Sequence, residues 1–396
     1  MTGSDPKARA VRFAAVAAVA VAVLAGCAAQ PAENPSGDDQ ASAPDGPRVA
    51  VAYAGGVLVV DGETLEVIDD FPSEEFVRVN SAGDDRHVVV TTSQGFQFLD
   101  MREPALTDHV VSAAAAGHVV RHAGRTVLYD DATSDTTVFD TAELARMQGE
   151  LPEAQVIPGV EAHHGVSVLL EGGEFATTVG DEAGRTGIRV TAADGTEIAT
   201  SADCPGVHGE GAAQDEALVF GCENGALLYR DGEITKLDAP DEFGRIGNAY
   251  ATDESPLVVM DYKDDPDAEG YLLTNLALVD TDAKTLETVA LPEGVGYTWR
   301  GVVRSPSGDA LMIGSDGRLH VIAPDTGRIT ASYDAIEAWQ SPTEWQQAHP
   351  AIAVTGETIY VTDSANSEIV ALDAATGDVV ARGDLPEVPN EIAVVE

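Results

Sequence analysis

Ile369-Val370-Ala371-Leu372-Asp373-Ala374-Ala375-Thr376-Gly377-Asp378-Val379-Val380 reads as an apolar strand, an Asp-headed turn and the start of a second strand. Four consecutive apolar residues closed by turn formers fit a short buried strand rather than a helix. The same unit recurs through the chain. Val57-Leu58-Val59-Val60-Asp61 leads through a turn to Val67-Ile68, and Leu278-Val279-Asp280 leads to Thr285-Leu286-Glu287-Thr288-Val289. His320-Val321-Ile322 precedes Asp325-Thr326-Gly327-Arg328-Ile329 in the same way. A second shared element links Ala82-Gly83-Asp84-Asp85-Arg86-His87-Val88 with Ser307-Gly308-Asp309-Ala310-Leu311-Met312. Each unit is a four-stranded antiparallel meander. One such sheet cannot bury both faces, so successive units must stack, and the sequence predicts an all-β propeller. Units begin near Arg48, Val77, Gly117, His163, Val207, Gly244, Tyr297 and Pro350, a period of about 44 residues. This gives eight blades over 48–396, or seven if one unit has been split. Two packed β-sandwiches would accommodate the same strands. The first unit has only three strands, and Glu391-Ile392-Ala393-Val394-Val395 is a spare one. Pairing the two closes the ring and removes an open edge.

The chain has 396 residues, with 22 Lys and Arg against 67 Asp and Glu, for a formal charge of -45. Phosphate recognition needs basic stripes, so nucleic-acid binding is excluded, as is a polybasic grip on anionic lipid. Hydrophobic residues make up 44% of the chain and fall in short, even clusters, which allows a core and puts the acid on the surface. The only lysines are Lys7, Lys236, Lys263 and Lys284. An acidic, Lys-poor surface suits a high-salt medium, but an Arg-biased genome composition gives the same pattern.

Lys7, Arg9 and Arg12 precede an uninterrupted apolar run from Phe13 to Leu24. The run is short for a membrane span and has the anatomy of a signal peptide over 1–26. Leu24-Ala25-Gly26-Cys27 resembles the bacterial lipobox, which implies cleavage before Cys27 and diacylglycerol on its sulfur. The predicted leader carries three bases and one acid, so the mature chain stands at -47. The remainder of 27–47 is rich in Pro, Gly, Ser, Asp and Ala and reads as a flexible linker. The expected location is the outer face of the cell membrane, held by the lipid. Only Cys204 and Cys222 then remain, and in an oxidising compartment they are expected to form a disulfide, the alternative being a Cys-containing metal site.

Seven of the nine histidines lie in the first part of the chain: His87, His109, His118, His122, His163, His164 and His208, followed by His320 and His349. Gly117-His118, His163-His164-Gly165 and His208-Gly209-Glu210 each open a predicted blade. Innermost strands line the central channel, so these three contexts would aim imidazoles at one axial point. Convergent neutral imidazoles suit zinc. Protons compete for the same nitrogens, so acidification toward pH 5 is expected to release the metal. The other histidines read as solvated or core-satisfied rings, with His122 at a turn edge. The run Asp264-Asp265-Pro266-Asp267 has calcium-like spacing, but in so acidic a chain it reads as a solvated loop.

No Gly-x-Ser-x-Gly elbow, Walker loop or His-Glu-x-x-His helix occurs. Repeated blade Trp motifs are missing, since Trp299, Trp339 and Trp345 are the only tryptophans. A glycosidase carboxylate pair cannot be singled out among 67 acids.

Several stretches resemble the AztD-type zinc metallochaperones. These are Arg78-Val79-Asn80-Ser81-Ala82-Gly83-Asp84, Gly117-His118-Val119-Val120-Arg121-His122, His163-His164-Gly165-Val166 and Asp203-Cys204-Pro205-Gly206-Val207-His208-Gly209-Glu210. Gly244-Arg245-Ile246-Gly247-Asn248 and Asp261-Tyr262-Lys263 extend the resemblance, which runs from about Val77 to the C-terminus. It implies a monomeric propeller that binds Zn2+ and hands it to the solute-binding protein of a zinc ABC transporter. The ligands it implies are His118, His164 and His208, with His163 as a fourth donor. One departure stands out. The family carries a His/Asp-rich loop after the strand corresponding to Phe96–Asp100, and often a His-rich N-terminal segment. Here Asp100-Met101-Arg102-Glu103-Pro104 reaches no histidine before His109. If that loop moves the metal, this chain transfers zinc more slowly or only stores it. The other readings are a non-metal interaction propeller and, last, a metal-dependent hydrolase or lactonase with Glu210 as its base; a catalytic role is not expected.

Overall fold

Gly56–Asp61 is buried along almost its whole length, which requires protein on both faces of its sheet. Side chains alternate across a strand, and the packing follows that alternation. Val57 and Val59 pack with Val88 and Val90, while Leu58 and Val60 pack with Tyr360 and Ile369. One strand therefore touches a neighbouring sheet near the start of the chain and another near its end. The continuous apolar runs of the sequence are the strands sandwiched in this way. The fourth strand of a sheet, such as Val67–Pro72 or Val379–Asp384, lies at the rim and carries mostly exposed or half-buried residues.

The computed structural model describes residues 46–396. The predicted leader, Cys27 and the linker up to Asp45 lie outside the described residues. The described chain forms eight four-stranded antiparallel sheets. Apolar clusters link each sheet to the next and the eighth back to the first. This closed ring is the eight-bladed β-propeller that the repeat predicts, and it removes the seven-blade and sandwich alternatives. The innermost strands are Arg78–Ser81, Ala116–His122, Ser167–Leu169, His208–Ala212, Ala249–Tyr250, Val302–Arg304 and Ile352–Thr355. The eighth is Ile392–Val395, which pairs with Arg48–Tyr53 from Arg48↔Val395 to Val51↔Ile392. The first blade thus combines three N-terminal strands with the C-terminal one, and the ring has no open edge.

The recurring Asp at strand ends has a defined task. Asp61 Oδ1 accepts the backbone N–H groups of Glu63 and Thr64. Asp280 and Asp373 repeat the pattern with Asp282 and Ala283, and with Ala375 and Thr376. Such Asx turns satisfy donors that the strand ladder leaves free. Part of the acidic composition therefore serves turn chemistry as well as surface charge.

Candidate metal centre

The three Gly-His contexts sit on blades three, four and five, and local irregularity places each ring. His118 lies in a bulge of Ala116–His122, where the register shifts between Ala116 and Val119. His208 opens His208–Ala212, where the register jumps from His208↔Gly221 to Glu210↔Phe220. The residue left over is Gly209, at φ +65° and against the Gly247 carbonyl, where a Cβ would clash. A bulge re-aims the side chains beside it, and here His208 and Glu210 both line the cavity. His164 lies at a bend three residues before Ser167–Leu169. Gly117 brings its backbone against Asp131, leaving no room for a side chain.

The three rings converge. Their centroids lie 5.1–5.2 Å apart in every pairing, and one nitrogen from each falls within 4.8 Å of the others. Each outer nitrogen faces an acceptor. His208 Nδ1 donates to the Gly247 carbonyl at 2.5 Å. His164 Nδ1 meets Asp131 Oδ2 at 2.6 Å, and His118 Nδ1 lies 3.7 Å from Glu210 Oε2. A carbonyl can only accept, so His208 is fixed as the Nδ1–H tautomer, and the Asp131 carboxylate favours the same in His164. In neutral rings both Nε2 atoms then carry lone pairs, and they face each other at 3.0 Å. That juxtaposition calls for a cation between them. Two nitrogens on one tetrahedral zinc lie about 3.3 Å apart.

Electrostatics keep two of the three rings, His118 and His208, unprotonated. Burial pushes His208 down to about 3, assisted by His164, Arg185 and Arg245 and opposed by the Gly247 hydrogen bond. Burial also holds His118 well below the ordinary imidazole range, with His208 and His164 adding to the effect. Burial raises Glu210 to about 7. Proton competition at His208 therefore sets in only near its lowered value, and at His118 below the ordinary imidazole range. The cluster opens into a cavity of about 890 Å³ that also exposes Arg78, Arg185, Arg245, Trp299 and Trp345. His164 is the most exposed of the three, with its side chain 44% accessible.

His163 does not join them. The chain bends at His164, and His163, one residue earlier, turns into a separate pocket. Its Nδ1 meets the Glu161 carbonyl at 2.8 Å and Ser134 Oγ at 3.0 Å. Its Nε2 meets Tyr129 Oη at 3.2 Å and Thr178 Oγ1 at 3.1 Å. Both nitrogens are committed, so the expected fourth imidazole donor is absent from the cluster. Among the described residues the group stops at three. His87 pairs with Asp84, His122 with Glu216, and His320 with Ser332 and Asp316. His349 bonds the Gln347 carbonyl. Cys204 and Cys222 form a buried disulfide, which ties the segment entering His208 to the end of the strand beside it. Asp131, the Gly247 carbonyl and Arg185 escaped the sequence reading. Asp131 is one acid among 67, a backbone carbonyl leaves no mark in composition, and Arg185 lies far from any histidine in sequence.

A closed eight-bladed propeller with three convergent imidazoles at its channel mouth defines the class of protein. Within it, the chain is similar to the zinc chaperone AztD of Citrobacter koseri. The two are 26% identical over 307 residues, spanning 73% of this chain and 69% of the relative. The crystal structure of Citrobacter koseri AztD superposes with a TM-score of 0.71 at 20% identity, covering 88% of this chain and 97% of that one. The apo structure of the same protein gives 0.72 with the same coverage and identity. The dihydro-haem d1 dehydrogenase NirN also shares the fold, with a TM-score of 0.56 at 14% identity, covering 92% of this chain and 77% of that one. The fold by itself therefore does not choose between a chaperone and an oxidoreductase. The resemblance read from the sequence motifs is to the same AztD type that the comparisons return. No protein-family model matches the chain.

Proposed function

We propose that this protein is a zinc-binding chaperone that holds Zn2+ on His118, His164 and His208 and passes it to the solute-binding protein of a zinc ABC transporter. The observation that carries the reading is the pair of Nε2 lone pairs 3.0 Å apart in His164 and His208, with His118 completing the set. The similarity to a zinc chaperone supports the choice of metal and of role. His118 and His208 bind zinc without first losing protons, because burial keeps both rings neutral at pH 7. Three protein donors leave one position open, and the open cavity beside His164 lets a receiving ligand attack there, so the ion can be exchanged rather than trapped. The role requires no bond-making chemistry, and we read the chain as a carrier and not an enzyme.

We place the protein on the outer face of the cell membrane, held through diacylglycerol on Cys27 and acting as a monomer. The lipobox-like Leu24-Ala25-Gly26-Cys27 and the buried disulfide support this location. Metal analysis of the purified mature protein tests the binding role. One tight equivalent of zinc is expected, lost when His118, His164 and His208 are all changed to Ala. Substoichiometric zinc, or equal retention by the variant, overturns the reading. Membrane fractionation of a Cys27→Ser variant tests the anchor, with release from the membrane expected.

A further inference from the structure

Acids outnumber bases by 67 to 22 in this chain, so an arginine without a carboxylate partner is an anomaly. Most guanidinium groups are paired, as in Arg48–Asp61, Arg86–Asp100, Arg125–Asp140 and Arg230–Asp282. Arg185 is among the exceptions, as is Arg189, but only Arg185 of the two faces the histidine cavity. Its Nη1 is shielded from solvent and donates no hydrogen bond. Among the described residues no carboxylate oxygen lies within 4.0 Å of it. Glu223 and Asp131 act on it only at longer range, and Arg245 repels it. Arg245 has its own carboxylate contact only at 3.8 Å, to Glu223, beyond hydrogen-bond distance. Both arginines line the cavity that holds the histidine cluster.

Leaving a guanidinium N–H buried and unpaired is costly, and the cost disappears if an acceptor enters. Of the cavity's carboxylates, Glu223 stays beyond hydrogen-bond distance of both arginines and is half exposed, and two others are engaged elsewhere. Asp131 accepts from His164 and from the Gly165 N–H. Asp261 accepts from Gly247 and Asn248. A metal on three neutral imidazoles would add two positive charges beside two guanidinium groups that no carboxylate contacts within hydrogen-bond distance, a repulsion that an entering anion relieves. The cluster also has three donors where zinc takes four.

We propose that Arg185 and Arg245 form an oxyanion subsite beside the histidine cluster, which takes a small carboxylate or carbonate and presents it to the open coordination position of the bound metal. The metal half of this inference rests on the zinc reading above, and the anion half does not. A planar oxyanion matches the guanidinium fork, so Lys at position 185 is a poor substitute. Anion and metal would then bind cooperatively, each favouring the other by the same factor.

The test uses sodium acetate as the probe and perchlorate as background, at constant ionic strength because salt screens these charges. In the metal-free protein, the Arg185 Nε–H resonance is followed during acetate titration, with Arg185→Gln assigning the signal. A saturable shift is expected. Zinc affinity is then measured by chelator competition with and without acetate. Wild type is expected to bind about tenfold more tightly with acetate, the scale of one charge-assisted hydrogen bond. Arg185→Gln is expected to bind zinc more tightly than wild type without acetate, since a repelling charge is gone, and to ignore acetate. Arg185→Lys should keep the repulsion and lose most of the enhancement. A non-saturable Arg185 response together with acetate-independent zinc affinity in wild type overturns the inference. A saturable response in a protein that binds no zinc keeps the subsite and removes the zinc reading.

Discussion

Two walls of one cavity handle buried polar groups in opposite ways. On blades three to five, His118, His164 and His208 turn nitrogens toward one another, and only their outer nitrogens face acceptors. Across the cavity, Arg78 and Arg300 converge on Glu391, at 3.1 and 3.0 Å. Arg300 also bonds Asn390 and the Trp345 carbonyl. Trp299 lies between the two guanidinium groups, which sit 4.8 and 4.9 Å from its ring. Glu391 immediately precedes the closing strand Ile392–Val395, so this second network anchors the closure of the ring. The contrast separates function from structure in physical terms. The closure wall pairs its charged groups with one another, leaving Arg300 Nε and His349 Nε2 buried without a partner, whereas the histidine wall turns a set of lone pairs toward one point and leaves them to bind something.

The comparison can be broken at either wall. Changing His118, His164 and His208 together to Ala should weaken zinc binding by about a thousandfold or more while the metal-free melting temperature stays close to wild type. Glu391→Gln should do the reverse. It leaves two guanidinium groups without their carboxylate, at a cost of about 3–5 kcal/mol measured by urea unfolding, with zinc affinity of the folded protein retained. If Glu391→Gln instead abolished zinc binding in folded protein, the division between the walls would fail. Replacing Cys204 and Cys222 with Ser should cost about 3 kcal/mol of stability and also loosen zinc, because the disulfide braces the segment entering His208.

Finer changes sharpen the contrast. Asp131→Asn keeps the shape beside His164 but weakens the acceptor, and should lower zinc affinity by about 10- to 100-fold without a matching stability loss. An equal loss of stability would make Asp131 a structural residue instead. His349 tests the closure wall by pH. Burial pushes it down to about 4, with Arg300 adding to the shift and the Gln347 hydrogen bond opposing it. The folded state keeps this ring neutral, while the unfolded chain protonates it near pH 6.5. Its contribution is therefore present above pH 6.5 and lost as pH falls from there toward 4. His349→Gln should show a shallower decline of stability across that window, and an unchanged slope would contradict the assignment.

The fold was legible because its signals are local and repeated. The apolar run before Asp373 and its copies mark strands packed on both faces, and the Asp marks an Asx turn, so the blade unit is written in order along the chain. In seven blades the inner strand begins within five residues of the predicted unit start, for example Arg78 against Val77 and His208 against Val207, while in the first blade the inner strand is the C-terminal Ile392–Val395. The closing pair was readable because three strands at one end and one at the other had no other complement. The site was readable only in part. A Gly beside each histidine marked His118, His164 and His208. The direction of a side chain at a bend entering a strand, however, is not marked in the sequence, and one position separates His164 in the cavity from His163 in its own pocket. The acceptors that fix the rings come from elsewhere in the chain, and Asp131 looks like any other acid in a sequence with 67 of them.

The most direct test of the account is zinc K-edge X-ray absorption of the zinc-loaded mature protein. The account predicts first-shell scattering from three imidazole nitrogens and one oxygen, at about 2.0–2.1 Å, with the imidazole signature lost in the triple His→Ala variant. Sulfur scattering, fewer than three imidazoles, or a spectrum unchanged in that variant would contradict it.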